Sequence, residues 1–499
     1  MSLAKRSAGA ALWNSAGSVT RIVLQFGIGV LLARLIGPQE FGLVAIAVLM
    51  VSIGQLFVDF GFNAAIVQTK DLRETDITSL GTLQIVISAA MSAMAFAGAG
   101  PIAAFFHQPA AVPIIRWMGL MLLLRGIGQN AVALLNRDLR FRAVQIGIMA
   151  GYVIGYVFVA VPLAFLGFGA WSLVAGQLVQ AGLSSVIAIV QVGHFHPLSL
   201  RGLRREMLNF GRLVISANLG SWSLSNLDSV LVGHVAGSTS LAFYNRSMML
   251  AIAPTQAILS GLQGVLFAAA SRAQDNPDGC RRALYTCMEI MVLIAAPLLF
   301  AVAAVSHTVL QALYGAKWIA AAPLLAPLCV ASVINGVLGF FGPVIMGLGR
   351  IERETRAQWL AVVIMVPCVY AAARVSAVAV AWAIVALYLV RFALLWRALD
   401  SVLALDVRSI ARATVPGAMI GVMAAAGTAL GDRSAADWGI AARLALEVAT
   451  GGAGALAGLV MVHRYLLRGE VGRMLLDMGP LPASLRAWLA RRAGGRGGA

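Results

Sequence analysis

The chain has 499 residues, 60% of them hydrophobic and 11% charged, with a net charge of +17 and a mean hydropathy of +0.87. A soluble domain carries about 25% charged residues, so this composition excludes a soluble enzyme and indicates an all-α integral membrane protein with many spans. The surplus cations are 34 Arg and three Lys lying between apolar runs, with no nucleic-acid-binding module around them, so no nucleic-acid partner is expected.

A helix needs about 20 apolar residues to cross the hydrocarbon core. Runs of that kind place spans near 14–36, 41–63, 80–104, 113–135, 144–166 and 170–192. A second set follows near 211–235, 243–270, 286–310, 321–347, 356–374 and 376–398, and two more lie near 411–430 and 439–463. The first run is no cleavable signal peptide, because Asn14, Ser15, Ser18 and Arg21 interrupt it. With fourteen spans and a cytosolic N-terminus, 27 basic residues fall on inside segments and four outside (Arg34, Lys317, Arg374, Arg433). That asymmetry supports the even count and the orientation. Outer loops such as "GPQE" and "GDRSAAD" are too short for a catalytic domain. The tail after 465 is basic with interleaved apolar residues and is expected on the anionic inner leaflet.

Two stretches align at an offset of 200 residues: "LLARLIGPQEFGLV" (31–44) and "LVGHVAGSTSLAFY" (231–244), with Gly37 facing Gly237. The two six-span sets then read as parallel repeats: an N-lobe over 1–200, a C-lobe over 201–400, spans 13 and 14 over 401–465, and a cytosolic tail over 466–499.

Four spans carry polar residues on one face: Asn14, Ser18, Arg21 and Gln25; Ser52, Gln55, Asp59 and Asn63; Asn218, Ser221, Ser225 and Asp228; and, more loosely, Arg246, Gln256, Ser260 and Gln263. Polar groups at membrane depth need a partner or water, and the simplest arrangement turns these stripes to one central hydrated cavity. Two readings stay open for Asp228: a structural ion pair with Arg21 or Arg246, or a carboxylate that binds a coupling cation. Asp59 and Glu289 are further ion-coupling candidates, Glu289 within reach of Arg281 or Arg282. Arg21, Arg34, Arg116, Arg125 and Arg246, with Gln25 and Asn218, are candidate contacts for an anionic substrate, since a guanidinium donates two parallel hydrogen bonds to a phosphate. Arg116 and Arg125, nine residues apart, point in opposite directions. No Lys precedes Ser or Thr, which rules out a Walker A loop; there is no HExxH and no DxD. His194 and His196 lack further ligands at metal spacing, and the four cysteines read as small apolar fillers. No cofactor is expected beyond a coupling cation, Na+ or H+.

The stretches "LLARLIGPQEFGLVAIA", "LFVDFGFNAAIVQTKD", "LLNRDLRFRAVQIG", "GFGAWSLVAGQLV" and "LDSVLVGHVAGSTSLAFYNRS" resemble Wzx-type polysaccharide flippases of the multidrug/oligosaccharidyl-lipid/polysaccharide exporter superfamily. The resemblance implies a transporter of the bacterial inner membrane, with both termini cytosolic. It would move undecaprenyl-diphosphate-linked oligosaccharides between leaflets by alternating access through an arginine-lined lumen. A glycan polymerase and chain-length proteins would be its partners, and Arg21 and Asp228 are the residues carried over. Gly233 and His234 stand where many members carry a Gly-Arg pair. A MATE-like cation antiporter is the same-fold alternative. A membrane glycan polymerase or glycosyltransferase is the enzymatic one, and it lacks its external loop and acidic motif here.

Overall fold

Apolar runs longer than a bilayer is thick have one low-cost solution, the α-helix, which satisfies its own backbone polar groups. The computed structural model describes residues 24–59, 73–193, 199, 205–271, 277–435 and 437–466, and among them every regular element is helical. The helices are α1 (Leu24–Leu35), α2 (Pro38–Asp59), α3 (Glu74–Phe105), α4 (Ala111–Arg137), α5 (Phe141–Phe165), α6 (Ala170–Val192), α7 (205–236) and α8 (238–271). There follow α9 (Pro277–Ala304), α10 (Ser306–Tyr314), α11 (Ala322–Leu338), α12 (Phe341–Gly347), α13 (Ile351–Ala373), α14 (Ala377–Leu403), α15 (Val407–Ser434) and α16 (Ile440–Leu466). Among the described residues twelve candidate membrane spans are long and apolar enough to cross a bilayer, so the chain is a multi-pass membrane protein.

The expected count of fourteen meets this number at two places. Span 1 (14–36) lies in part outside the described residues, which begin at 24; its described part is the short apolar helix α1. Spans 7 and 8 fall in one continuous candidate of 54 residues, Asn218–Ser271. At 1.5 Å per residue that is about 80 Å of helix against a core of about 30 Å. It is broken at Gly237, whose φ of 83° and ψ of 172° leave the helical region in a direction open to glycine. Gly37, its sequence counterpart, sits at the α1–α2 junction. The stretch 356–398 resolves into two helices, α13 and α14, separated at Arg374–Ser376.

The chain divides into two compact units, Met1–Ala242 and Phe243–Ala499. In the first, α4 is the central helix and packs on α2, α3 and α6. Gly126 makes part of this possible: a Cβ there would lie 2.2 Å from Ser88 Oγ of α3, so the two backbones approach as only glycine permits. Helix α5 is π-wound over Val153–Ala160. In the second unit, α15 packs along both α9 and α16, and α14 on α11 and α13. Pro343 has no N–H for the Gly339 carbonyl one turn earlier, and the helix breaks between α11 and α12. Gln263 of α8 takes up that carbonyl, with Nε2 donating at 3.2 Å. Three of the four cysteines, Cys280, Cys287 and Cys329, are buried free thiols.

Candidate functional site

Three of the described stripe residues, Ser52, Asp59 and Gln263, bond to a neighbouring helix. On α2, Ser52, Gln55 and Asp59 share a face. Ser52 Oγ accepts from Trp222 Nε1 of α7 at 2.9 Å. Asp59 Oδ1 accepts two side-chain amide N–H groups, from Gln55 Nε2 and from Gln129 Nε2 of α4, each at 3.1 Å. One turn before Gln129, on the same face of α4, Arg125 lies near enough for its charge to act on Asp59, and Tyr156, from the π-wound turn of α5, is near enough to act on Arg125. Tyr156 stacks on Tyr152 at 4.6 Å, which fixes its ring.

The result is a half-buried carboxylate at the end of a span, two neutral donors on one of its oxygens, and a balancing guanidinium. Gln55 Oε1 is buried beside it without a hydrogen-bond partner among the described residues. A carboxylate next to an unused amide oxygen is the donor chemistry that hard cations take. A carboxylate paired in this way can also exchange a proton.

The other expected residues are placed one by one. Arg21 lies outside the described residues. Gln25 is half-buried on α1 and Arg34, on the same helix, is exposed. Arg116 is exposed, its guanidinium 4.9 Å over the Phe96 ring, a cation–π contact. Arg125 is instead half-buried, close enough to Asp59 for the two charges to interact.

On α7, Asn218, Ser221 and Ser225 are exposed, but Asp228 is only 3% exposed; its Oδ1 accepts from the Ser229 N–H at 2.7 Å. Arg246, in the second unit, is half-buried, with Nη1 directed to Met249 Sδ at 3.7 Å. It acts on the buried Tyr314, whose phenol burial pushes up and Arg246 draws back down. Glu289 is 2% exposed in α9. Arg281 makes its ion pair with Asp278 at 2.6 Å and reaches the Leu403 and Ala404 carbonyls, while Arg282 is exposed. His234 is held by the Phe105 carbonyl 2.6 Å from Nδ1, so Nδ1–H donates, and its ring stacks on Phe105 at 4.2 Å. His194 and His196 lie outside the described residues.

The spacing of polar residues along α2 found Asp59 but not Gln129, because a lone Gln in an apolar run has no partner within its own helix. Two further charged groups were also missed: Glu354 with Arg391, on α13 and α14, and Asp432 with Arg443 and Glu447, on α15 and α16. Their partners are contributed by different helices.

Comparison with known proteins fits this geometry into a family. The polysaccharide biosynthesis protein family matches residues 31–323. The succinoglycan biosynthesis transport protein ExoT of Rhizobium meliloti is 27% identical over 342 residues, 68% of each chain. The lipopolysaccharide biosynthesis protein WzxC of Escherichia coli is 22% identical over 380 residues, 74% of this chain and 75% of that one. Among solved structures, the lipid II flippase MurJ in an inward closed conformation superposes with a TM-score of 0.74 at 12% identity, covering 91% of this chain and all of that one. An inward-facing MATE-family multidrug transporter gives 0.54 at 15% identity, covering 76% and 94%. The chain belongs to the polysaccharide biosynthesis protein family, the Wzx-like flippase family, and has the fold shared by MurJ and the MATE transporters.

Proposed function

We propose that this protein is a flippase that carries polyprenyl-diphosphate-linked oligosaccharide repeat units from the cytosolic to the outer leaflet of a bacterial inner membrane. It would work by alternating access, coupled to a cation, for surface polysaccharide assembly. The curated relatives are named for transport or biosynthesis of such polymers, and the fold is that of a lipid II flippase. In this reading α1 and the two arms about Gly237 complete fourteen crossings. Both termini face the cytosol, the lobes are 1–200 and 201–400, and the tail lies on the inner leaflet. A glycan polymerase and chain-length proteins receive the product.

The observation that carries the coupling is the Asp59–Arg125 network. With Asp59 ionised, its charge offsets Arg125. A proton or Na+ on Asp59, with Gln55 Oε1 as a second oxygen, removes that compensation and leaves Arg125 to attract a phosphate oxygen. Arg21, Arg34, Arg116 and Arg246, with Gln25 and Asn218, extend the anion path. Asp228 and Glu289 are the further cation candidates.

The test is a leaflet assay of the lipid-linked glycan in a deletion strain, complemented with wild type or Asp59→Asn. Accumulation of the glycan in the cytosolic leaflet, relieved by wild type alone, is expected. Normal outward passage in the deletion strain, with no redundant flippase, overturns the function; full rescue by Asp59→Asn overturns the role of that residue.

A further inference from the structure

The C-terminal hairpin holds a charged group that the transport reading leaves unused. Asp432 lies in the last turns of α15; Arg443 and Glu447 lie one turn apart at the start of α16. Arg443 Nε donates to Asp432 Oδ1 at 2.8 Å, and Nη2 reaches the same oxygen. Thr308 of α10 donates to it as well, at 3.4 Å. The Glu447 side chain is 1% exposed. Its Oε1 is 3.3 Å from Arg443 Nε, but that N–H points at Asp432; among the described residues no donor is aligned on either Glu447 oxygen, and the Thr308 hydroxyl is the other donor close to it. The Glu447 carboxyl also stands beside that of Asp432.

The charge count does not close. Two carboxylates and one guanidinium sum to −1, and the guanidinium N–H nearest Glu447, on Nε, is directed to Asp432. An ionised Glu447 would be a desolvated anion against a like charge, with a single Arg443 Nε–H set between the two acceptors. One proton resolves all of this: a neutral Glu447 O–H becomes the missing donor and Asp432 its acceptor.

We propose that Glu447 and Asp432 share one bound proton, with Glu447 as donor, and that this proton latches α16 to α15 and, through Thr308, to α10. Asp432 and Arg443 are 29% and 28% exposed, so the proton is exchanged with solvent at this end of the hairpin. The short stretch 431–439 that closes the hairpin falls on the outer side by the arginine distribution, which makes the outside medium the source. The titratable groups facing the site are Asp432 from α15 and Arg443 from α16. From α10 it is faced by Thr308, which does not titrate, and the adjacent His307 is exposed. Losing the proton leaves two anions on one arginine and loosens the hairpin, so stability falls as pH rises through the site's titration.

The experiment uses the purified full-length protein. Infrared spectroscopy at neutral pH reads the carboxylic C=O band, and Tm is followed against pH. The wild type shows a band that is lost in Glu447→Gln. It is lost also in Asp432→Asn, where Glu447 becomes the ion partner of Arg443. The wild-type Tm drops toward alkaline pH over a range in which Glu447→Gln stays level. Equal band intensity in the wild type and both variants overturns the proposal, as does a Glu447→Gln curve that follows the wild type. Should Glu447→Gln fail to fold, Asp432→Asn carries the infrared test. The band is read without transport, so its presence or loss is independent of the flippase assignment.

Discussion

Two acidic groups within membrane spans are handled in opposite ways, one in each unit. In the first unit, Asp59 meets one arginine and two neutral amides, so charges balance and an acceptor is left over. In the second, Asp432 and Glu447 share Arg443, so one anion is in excess and a donor is lacking. A spare acceptor suits a cation that comes and goes; a missing donor calls for a proton that stays. Counting donors and acceptors thus separates a site built to exchange charge from one built to hold helices together, although each sets an aspartate near one arginine.

The largest effect expected is from Arg443→Ala. Breaking a fully buried ion pair on one side costs about 3–5 kcal/mol because the partner charge is left uncompensated; with Asp432 and Arg443 29% and 28% exposed, the cost here lies toward the lower end. Here the proton-sharing pair of Asp432 and Glu447 keeps one negative charge and loses its cation, and a clear fall in Tm or in the inserted protein level is expected. Arg443→Lys keeps the charge but not the two contacts to Asp432, so its Tm lies between. A silent Arg443→Ala would show that the hairpin is held by helix packing alone.

Asp59→Asn is expected to do the reverse, leaving the protein level intact while transport falls. A hydrogen bond to a charged group is worth about 1.5–3 kcal/mol, which corresponds to roughly 10- to 150-fold in rate or affinity. Arg125→Gln falls in the same range. The double variant is expected to lose no more than either single one, since both act through one network. Additive losses would separate the two residues.

What supports this network was only partly legible in the sequence. Span positions were readable because a 20-residue apolar run has few alternatives in lipid. The break at Gly237 was readable because the same glycine recurs at Gly37. Stripe spacing located Asp59 and Gln55, since both lie on one helix. It could not show that Gln129 completes the site, or that Gln263 serves a backbone carbonyl released by Pro343. Those pairings join helices 70 or more residues apart in sequence. Nor does spacing measure depth: Asn218, Ser221 and Ser225 are exposed, yet Asp228, next on the same stripe, is buried.

Gly126→Ala tests how tightly the first unit must pack to keep the Arg125 charge near Asp59. The new Cβ would meet Ser88 at 2.2–2.3 Å, and overpacking of this kind costs about 1–3 kcal/mol. Transport and Tm fall together, and adding Ser88→Gly restores both. Failure of the second change to rescue either would mean that α3 is not what α4 leans on.

The smallest effect belongs to a third carboxylate, Asp406, which lies between α14 and α15 outside the candidate spans. It caps α15: Oδ1 accepts from the Arg408 N–H and Oδ2 from the Ser409 N–H, both at 3.1 Å, and the Ser409 hydroxyl adds 2.9 Å. The Arg408 N–H, then the Ser409 hydroxyl, hold its carboxyl below the usual carboxylate range. Its folded pKa is therefore lower than its unfolded one, and the cap stabilises above the unfolded value and is lost as pH falls through the folded value. The sign is opposite to that of Glu447, where stability goes as pH rises. Asp406→Ala is expected to lower Tm slightly at neutral pH, and the difference from wild type closes in acid, where the wild-type cap is itself protonated. Glu447→Gln shows its difference from wild type on the alkaline side instead. A Tm gap for Asp406→Ala that stays constant from neutral pH into acid would mean that the carboxylate charge is not what caps the helix.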